Sequence, residues 1–161
     1  MYKSDYDDMN TIYAIKPEAV AILSAEDKQD ILASLSELFA RAWDLDPARV
    51  LEHLEERERL GSTGFGRAVA IPHARMSGLK RPVAALLRLK RPVEFAAADG
   101  LPVDLVFGLL SPDNSGAAHL HALAQISRLM RDEKVHEAIT EAPDAEAIFG
   151  LLTNATDRDA A

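Results

Sequence analysis

The sequence predicts a three-layer α/β/α sandwich with a mixed central sheet flanked by helices, and three observations carry that expectation. Apolar runs of strand length at residues 19–23, 68–71, 83–89 and 103–110 are separated by stretches of helical periodicity, so strands and helices mix along the chain. The run at 103–110 is apolar at nearly every position apart from Asp104, the pattern of a central strand covered on both faces. A length of 161 residues suits one domain with a proper core and is short for two. The expected limits are a partly flexible leader at 1–17, the domain at 18–152 and a loose polar tail at 153–161.

Taken in order, residues 1–10 carry Asp5, Asp7 and Asp8 and read as a solvated terminus. The apolar run at 19–23 is a strand, after which Ser24 offers an oxygen to cap a helix with Glu26 and Asp27 in its first turn. Ile31, Leu35, Leu38, Phe39 and Ala42 recur along that helix as one apolar stripe, and Trp43 belongs to its packing. Asp46-Pro47 starts a second helix, with Asp as cap and Pro in the first turn, running to about Leu60 and stopping at Gly61. Past a glycine-rich turn come strands at 68–71, at 83–89 between Pro82 and Pro92, and at 103–110 after the Asp99-Gly100 turn. A loop at 112–116 with Ser115 as cap leads into a helix at 117–130, then short helices at 133–140 and 144–152 separated by Pro143.

Composition narrows the function. Apolar content of 48% with 27% charged residues is globular, and no apolar run approaches the roughly 20 residues of a membrane helix, so no membrane insertion is expected. The start lacks the basic and apolar parts of a secretory signal, which points to the cytoplasm. The absence of cysteine removes disulfides, thiolate nucleophiles, thiolate metal sites and phosphocysteine chemistry. A net charge of −8 without clustered Lys and Arg argues against nucleic acid, so any phosphate must be held by a few local cations. An acidic surface also serves solubility, or steers a basic partner.

The stretch from Gly61 to Arg75 concentrates the chemistry. Gly61-Ser-Thr-Gly-Phe-Gly66 follows a helix and opens a strand, the reverse of the dinucleotide and Walker contexts, so it is no nucleotide loop. Two readings stay open for it: a helix cap and connecting turn, or a turn whose N–H groups approach an anion. His73 follows Pro72, which holds Ile71 extended and sets where the imidazole emerges, either as a hydrogen-bonded structural residue or as a catalytic one. On the preceding helix Arg59 has Glu55 and Glu56 at pairing distance, whereas no carboxylate stands at those spacings from Arg57. Arg57 therefore either satisfies helix C-terminal carbonyls or is available to a phosphate oxygen.

His119 and His121 lie two apart on a helix, about 200° around its axis, so they cannot share one ion and no metal is expected. With Leu120, Leu123, Ser127 and Met130 facing inward, His119 stands at the edge of that face and His121 looks at water. His53 and His136 take helical surface positions.

Together, Gly61-Ser-Thr-Gly-Phe-Gly66, Ala70-Ile-Pro-His73, Pro102-Val-Asp-Leu-Val-Phe107 and His119-Leu-His121 resemble the enzyme IIA domain of the bacterial phosphoenolpyruvate-dependent phosphotransferase system, fructose/mannitol class. The resemblance spans roughly residues 18–152 and is greatest to the stand-alone nitrogen-regulatory type. It implies an α/β domain in which His73 accepts a phosphoryl group from a histidine phosphocarrier protein, with His119 assisting and Arg57 contacting the phosphate. It also implies that N–H groups of a phosphate loop, Gly61, Ser62, Thr63 and Gly64, hold phosphoryl oxygens, with no metal and no cofactor. Arg75 falls where relatives often carry a basic residue, and either adds positive potential or is a surface Arg. Relatives devoted to sugar import pass phosphate to a IIB domain, often through cysteine, and to a membrane IIC domain. A chain without cysteine or a membrane span is expected instead to regulate partner proteins through the charge added at His73. The alternatives are a sugar-specific IIA component with a separate IIB, a non-catalytic interaction module, and a histidine-based metal hydrolase.

Overall fold

Local signals account for most element boundaries in the computed structural model, which describes residues 12–160, with side chains described through 154. A single 3₁₀ turn at Pro17–Ala19 leads into β1 (Val20–Leu23) and helix α1 (Lys28–Trp43). The cap of α1 is Asp27 rather than Ser24, because the Asp27 carboxylate reaches the N–H of Asp30 at 2.8 Å, three residues on. Helix α2 (Pro47–Arg59) starts as expected, with Asp46 accepting from the N–H of Ala48 at 3.0 Å. Then follow β2 (Gly64–Gly66), β3 (Val69–Ala70), β4 (His73–Met76), β5 (Val83–Val93) and β6 (Val103–Pro112). Helices α3 (Ala117–Arg131), α4 (Glu133–Glu141) and α5 (Ala145–Ala160) complete the chain.

The sheet is mixed and six-stranded, in the order β1-β5-β6-β3-β2, with β4 also paired to β6. Strand β6 runs antiparallel to β5 and parallel to β3 and β4, which occupy successive stretches of its other edge. Alternate residues of β5 and β6 point to opposite layers. Ala85, Leu87, Val106 and Leu110 pack with Ile31, Leu35 and Phe39 of α1 and with Val50 and Leu54 of α2. Leu86, Leu105, Phe107 and Leu109 pack with Ile126 of α3, Ile139 of α4 and Ile148 of α5. Helices thus cover both faces, giving the three-layer α/β/α arrangement. At Gly108 an added Cβ would stand 2.8 Å from side-chain atoms of both Leu35 and Phe39, so glycine there permits the close approach of α1.

Three further departures from expectation have physical reasons. Strand β5 continues past Pro92 to Val93 because the ladder with β6 breaks between Arg88 and Val93, leaving the imide nitrogen no ladder bond to supply. The glycine stretch is not only a turn, since Gly64–Gly66 pairs antiparallel with β3. Gly116 rather than Ser115 occupies the cap of α3, with no side-chain bond, and the Ser115 hydroxyl is buried without a partner.

Of the expected leader, residues 1–11 lie outside the described residues. Residues 13 and 14 belong to the packed structure: Tyr13 is buried edge-on to Phe107, and Ala14 bridges to Val83. Of the expected tail, residues 153–160 continue α5, and Ala161 lies outside the described residues. Among the described residues no helix is long and apolar enough to cross a membrane.

The tight connection from β2 to β3 places Arg67 and Ala68 at φ of 59° and 69°, a region that disfavours side chains. It is held by its surroundings: Asp99 accepts from the N–H of Arg67 at 2.8 Å, and the Ala68 carbonyl accepts from the N–H of Asp104 at 3.0 Å. Removing the methyl group at Ala68 relieves this strain. Ala68→Gly should raise stability by about 1 kcal/mol, measured as a shift of the urea midpoint at constant slope; a lower midpoint would contradict the assignment of strain.

Candidate active site

Pro72 divides the chain between β3 and β4 and its carbonyl accepts from the N–H of Leu109 at 2.9 Å, keeping both strands on the edge of β6. His73 is the first residue of β4 and pairs with Leu109, so the strand continues beyond it. Its Nδ1 lies 2.8 Å from the carbonyl oxygen of Ile71. A carbonyl only accepts, so Nδ1 carries the imidazole proton and Nε2 keeps its lone pair. Arg57, in the last turn of α2, donates from Nε to that Nε2 at 3.3 Å.

Of the two readings of Arg57, the contact with a carbonyl at the end of its helix is present. While Nε faces His73, Nη1 donates to the carbonyl of Gly61 at 2.9 Å, satisfying a helix-end acceptor. Arg59, by contrast, makes no ion pair with Glu55 or Glu56 among the described residues, and projects into solvent.

Across the depression stands His119, in the first turn of α3, its ring centroid 5.7 Å from that of His73. His119 is only 5% exposed and His121 is exposed, as helical geometry requires. The face itself is rotated from the expected one: Ala122, Gln125, Ile126 and Leu129 are buried with His119, and Leu120 is 60% exposed. The helix packs on the sheet through the side of the stripe away from Leu120, leaving that leucine at the rim of the depression.

The four residues of the expected phosphate loop stand beside the site, yet none lines the depression. The Gly61 N–H donates to the Glu58 carbonyl at 3.1 Å, the Thr63 N–H to Glu58 Oε1 at 3.1 Å, and the Gly64 N–H to the Ser62 hydroxyl at 3.0 Å. The Thr63 hydroxyl also donates to Glu58. Glu58, with its side chain only 6% exposed, is further paired with Lys28 at 2.8 Å. At Gly64 a Cβ would fall 2.6 Å from the Cα of Ala97, so the loop is pressed flat against that segment.

The depression encloses about 490 Å³, and besides His73, Arg57 and His119 it is lined by Arg75, His53, Glu56, Leu60 and Leu120. Arg75 is exposed on β4 and brings a positive charge to the rim. His53, Glu56 and Leu60 were not singled out from the sequence. Their signal was available in helix geometry, since His53 lies four residues before Arg57 and Leu60 three after it. His136 lies elsewhere: its Nε2 stands 3.0 Å from Asp104, and that hydrogen bond raises its pKa from the ordinary value.

Electrostatics keep the two central imidazoles neutral. Burial lowers the pKa of His73, and the charges of Arg57 and Arg75 lower it further, against the opposing Ile71 carbonyl and Glu58. Burial above all, then Arg75 and His73, brings His119 down to about 4. Two neutral rings, one with the Nε2 lone pair beside a guanidinium, thus face one depression whose lining also carries the charges of Arg75 and Glu56.

The chain is similar to known proteins in sequence and in fold. The sequence profile of the family described as phosphoenolpyruvate-dependent sugar phosphotransferase system, EIIA 2, matches residues 14–155. The chain is 41% identical over 128 residues to a nitrogen regulatory protein of Pseudomonas aeruginosa, covering 79% of this chain and 83% of the relative. It is 40% identical over 139 residues to a nitrogen regulatory protein of Bradyrhizobium diazoefficiens, covering 86% and 91%. The crystal structure of nitrogen regulatory protein IIA-Ntr from Neisseria meningitidis superposes with a TM-score of 0.79 at 34% identity, over 86% of this chain and 95% of that one.

The depressed pKa of His119 sets a pH dependence. As pH falls from the ordinary value of 6.5 towards 4, the unfolded chain takes up this proton before the folded protein does. The stability that neutral His119 contributes is therefore complete above about 6.5 and lost on acidification. His119→Gln should lose less stability than the wild type between these limits, measured by urea unfolding at each pH; parallel losses would contradict a neutral buried His119.

Proposed function

Because the chain belongs to the phosphoenolpyruvate-dependent sugar phosphotransferase system EIIA 2 family, we propose that it is a phosphohistidine carrier of the nitrogen-regulatory type. In this reading His73 takes a phosphoryl group from a histidine phosphocarrier protein, and its phosphorylation state regulates partner proteins in the cytoplasm. The observation that carries the proposal is the setting of His73: Nδ1–H is committed to the Ile71 carbonyl, and Nε2 presents its lone pair beside Arg57.

Arg57 releases its hydrogen bond to Nε2 as the donor arrives; the donor's N–P bond breaks as a bond forms from Nε2 of His73 to phosphorus, the donor ring, protonated on its other nitrogen, leaves as neutral imidazole, and His73 keeps its Nδ1 proton. The reaction needs in-line positioning and stabilisation of charge on the equatorial oxygens. Arg57 supplies a fixed guanidinium, and His119 and Arg75 approach the same space. Because three of the loop N–H groups are already engaged, the loop of Gly61, Ser62, Thr63 and Gly64 acts chiefly by holding Arg57 through the Gly61 carbonyl. The step joins two phosphoimidazoles of similar energy, and no metal or cofactor enters it.

The alternative, a sugar-specific IIA component serving a separate IIB, is compatible with the family description. The resemblance to two nitrogen regulatory proteins at 40% identity or more favours the regulatory reading. Dianionic phosphate at His73 would change the charge of a rim made of Arg57, Arg75, Leu60 and Leu120, and that change is the signal partners read.

Incubation with phosphoenolpyruvate, the general phosphotransferase and its histidine carrier should add one acid-labile, alkali-stable phosphate, detected by intact mass. His73→Ala should abolish it, Arg57→Ala should slow it by roughly 10²-fold, and His121→Ala should leave it within about twofold. An unchanged mass with a competent donor would refute the proposal. Leu60, 84% exposed beside the site, suits the apolar centre of a docking face. Leu60→Glu should raise the KM for the phosphorylated carrier roughly tenfold with little effect on kcat; an unchanged KM would remove Leu60 from that face.

A further inference from the structure

The ladder that seats His73 also seats a buried hydroxyl. His73 pairs with Leu109 and Arg75 with Ser111, so Ser111 lies two residues along β6, on the same face as Leu109 and facing α3. Ser111 has no exposed surface, and its Oγ stands 2.7 Å from Nδ1 of His119. No other hydrogen-bond partner of this hydroxyl occurs among the described residues.

A neutral imidazole has one N–H, and a serine hydroxyl can face it as donor or as acceptor. If Ser111 accepted from Nδ1–H, its own proton would be buried with no acceptor, at the full cost of desolvation. If Ser111 donates to Nδ1, the bond satisfies both groups. We propose that Ser111 is a positioning residue that holds the proton of His119 on Nε2, making the ring a hydrogen-bond donor to the phosphoryl group carried by His73. The role in phosphoryl transfer rests on the phosphohistidine reading, whereas the tautomer does not. A phosphoryl oxygen bears only lone pairs, so the opposite tautomer would present a lone pair to it and repel it. No bond is made or broken at His119.

The test is ¹⁵N–¹H correlation spectroscopy of the ¹⁵N-histidine-labelled, unphosphorylated protein near neutral pH. The wild type should show His119 with a pyridine-like Nδ1 and a pyrrole-like Nε2. Ser111→Ala should shift it to a mixture of tautomers, and Ser111→Thr should restore the wild-type pattern. Ser111→Ala should also slow phosphorylation by His73's donor, by less than the roughly 10²-fold that outright loss of a transition-state donor costs, and Ser111→Thr should recover the rate. A pyrrole-like Nδ1 in the wild type, or an unchanged tautomer in Ser111→Ala, would overturn the proposal. If Ser111→Ala does not fold, the wild-type spectrum decides alone. A protein that never labels with phosphate but shows the expected tautomer would refute the functional reading and leave the assignment standing.

Discussion

The hydrogen bond from Nδ1 of His73 to the Ile71 carbonyl, 2.8 Å long, is the constraint on which the rest of the site depends. It spans only two residues, and it is possible because Pro72 turns the chain between β3 and β4 while its own carbonyl stays on the β6 ladder. That bond settles the tautomer, and the tautomer settles which nitrogen keeps its lone pair. Were the proton on Nε2, the lone pair would point into the sheet and the Arg57 guanidinium would face an N–H.

Arg57 must in turn be held, and the glycine stretch is built to hold it. Its neighbour Glu58 turns the other way, taking the Thr63 N–H and hydroxyl and the Lys28 ammonium. A carboxylate so buried survives because each oxygen has a hydrogen-bond or ion-pair partner. The clamp ties α1, α2 and the loop together, so the Gly61 carbonyl that receives Arg57 has a fixed place. Adjacent residues of one helix thus do opposite work: one faces the imidazole of His73, and the other fastens the loop beside it.

Packing supplies the remaining constraint. His73 and Ser111 are placed by one parallel ladder, and His119 is brought over them by α3, which docks through Ala122, Ile126 and Leu129. Burial of that helix start does two things at once: it excludes water from His119, holding the ring neutral, and it leaves Leu120 outward at the rim. The same rotation therefore creates both a desolvated imidazole and an apolar surface beside it. Gly108 serves the opposite face, where its missing side chain lets α1 close against β6 and complete the third layer.

Much of this was legible in the linear chain. Periodic apolar residues and the unbroken run at 103–110 announced the layers and the central strand, because burial on one or two faces leaves its period in the sequence. Pro72 before His73, an Arg57 with no helical carboxylate, and the two-residue spacing of His119 and His121 are local facts, and local geometry decided them. What crosses between distant segments was not legible. The partner of Nδ1 on His119 is a serine in a different element, the Thr63 N–H is spent on Glu58, and the exposure of Leu120 depends on how α3 is rolled on the sheet. A helical stripe fixes an arc but not the few tens of degrees by which packing turns it, and an N–H group in a turn has no assigned acceptor until the fold brings one. Residue identity and order alone fix which groups carry charge and lone pairs and how they follow one another along the chain. Which of those groups kept an unpaired donor or lone pair was set by the folded arrangement, because hydrogen bonds between segments far apart in the chain are chosen by proximity and burial.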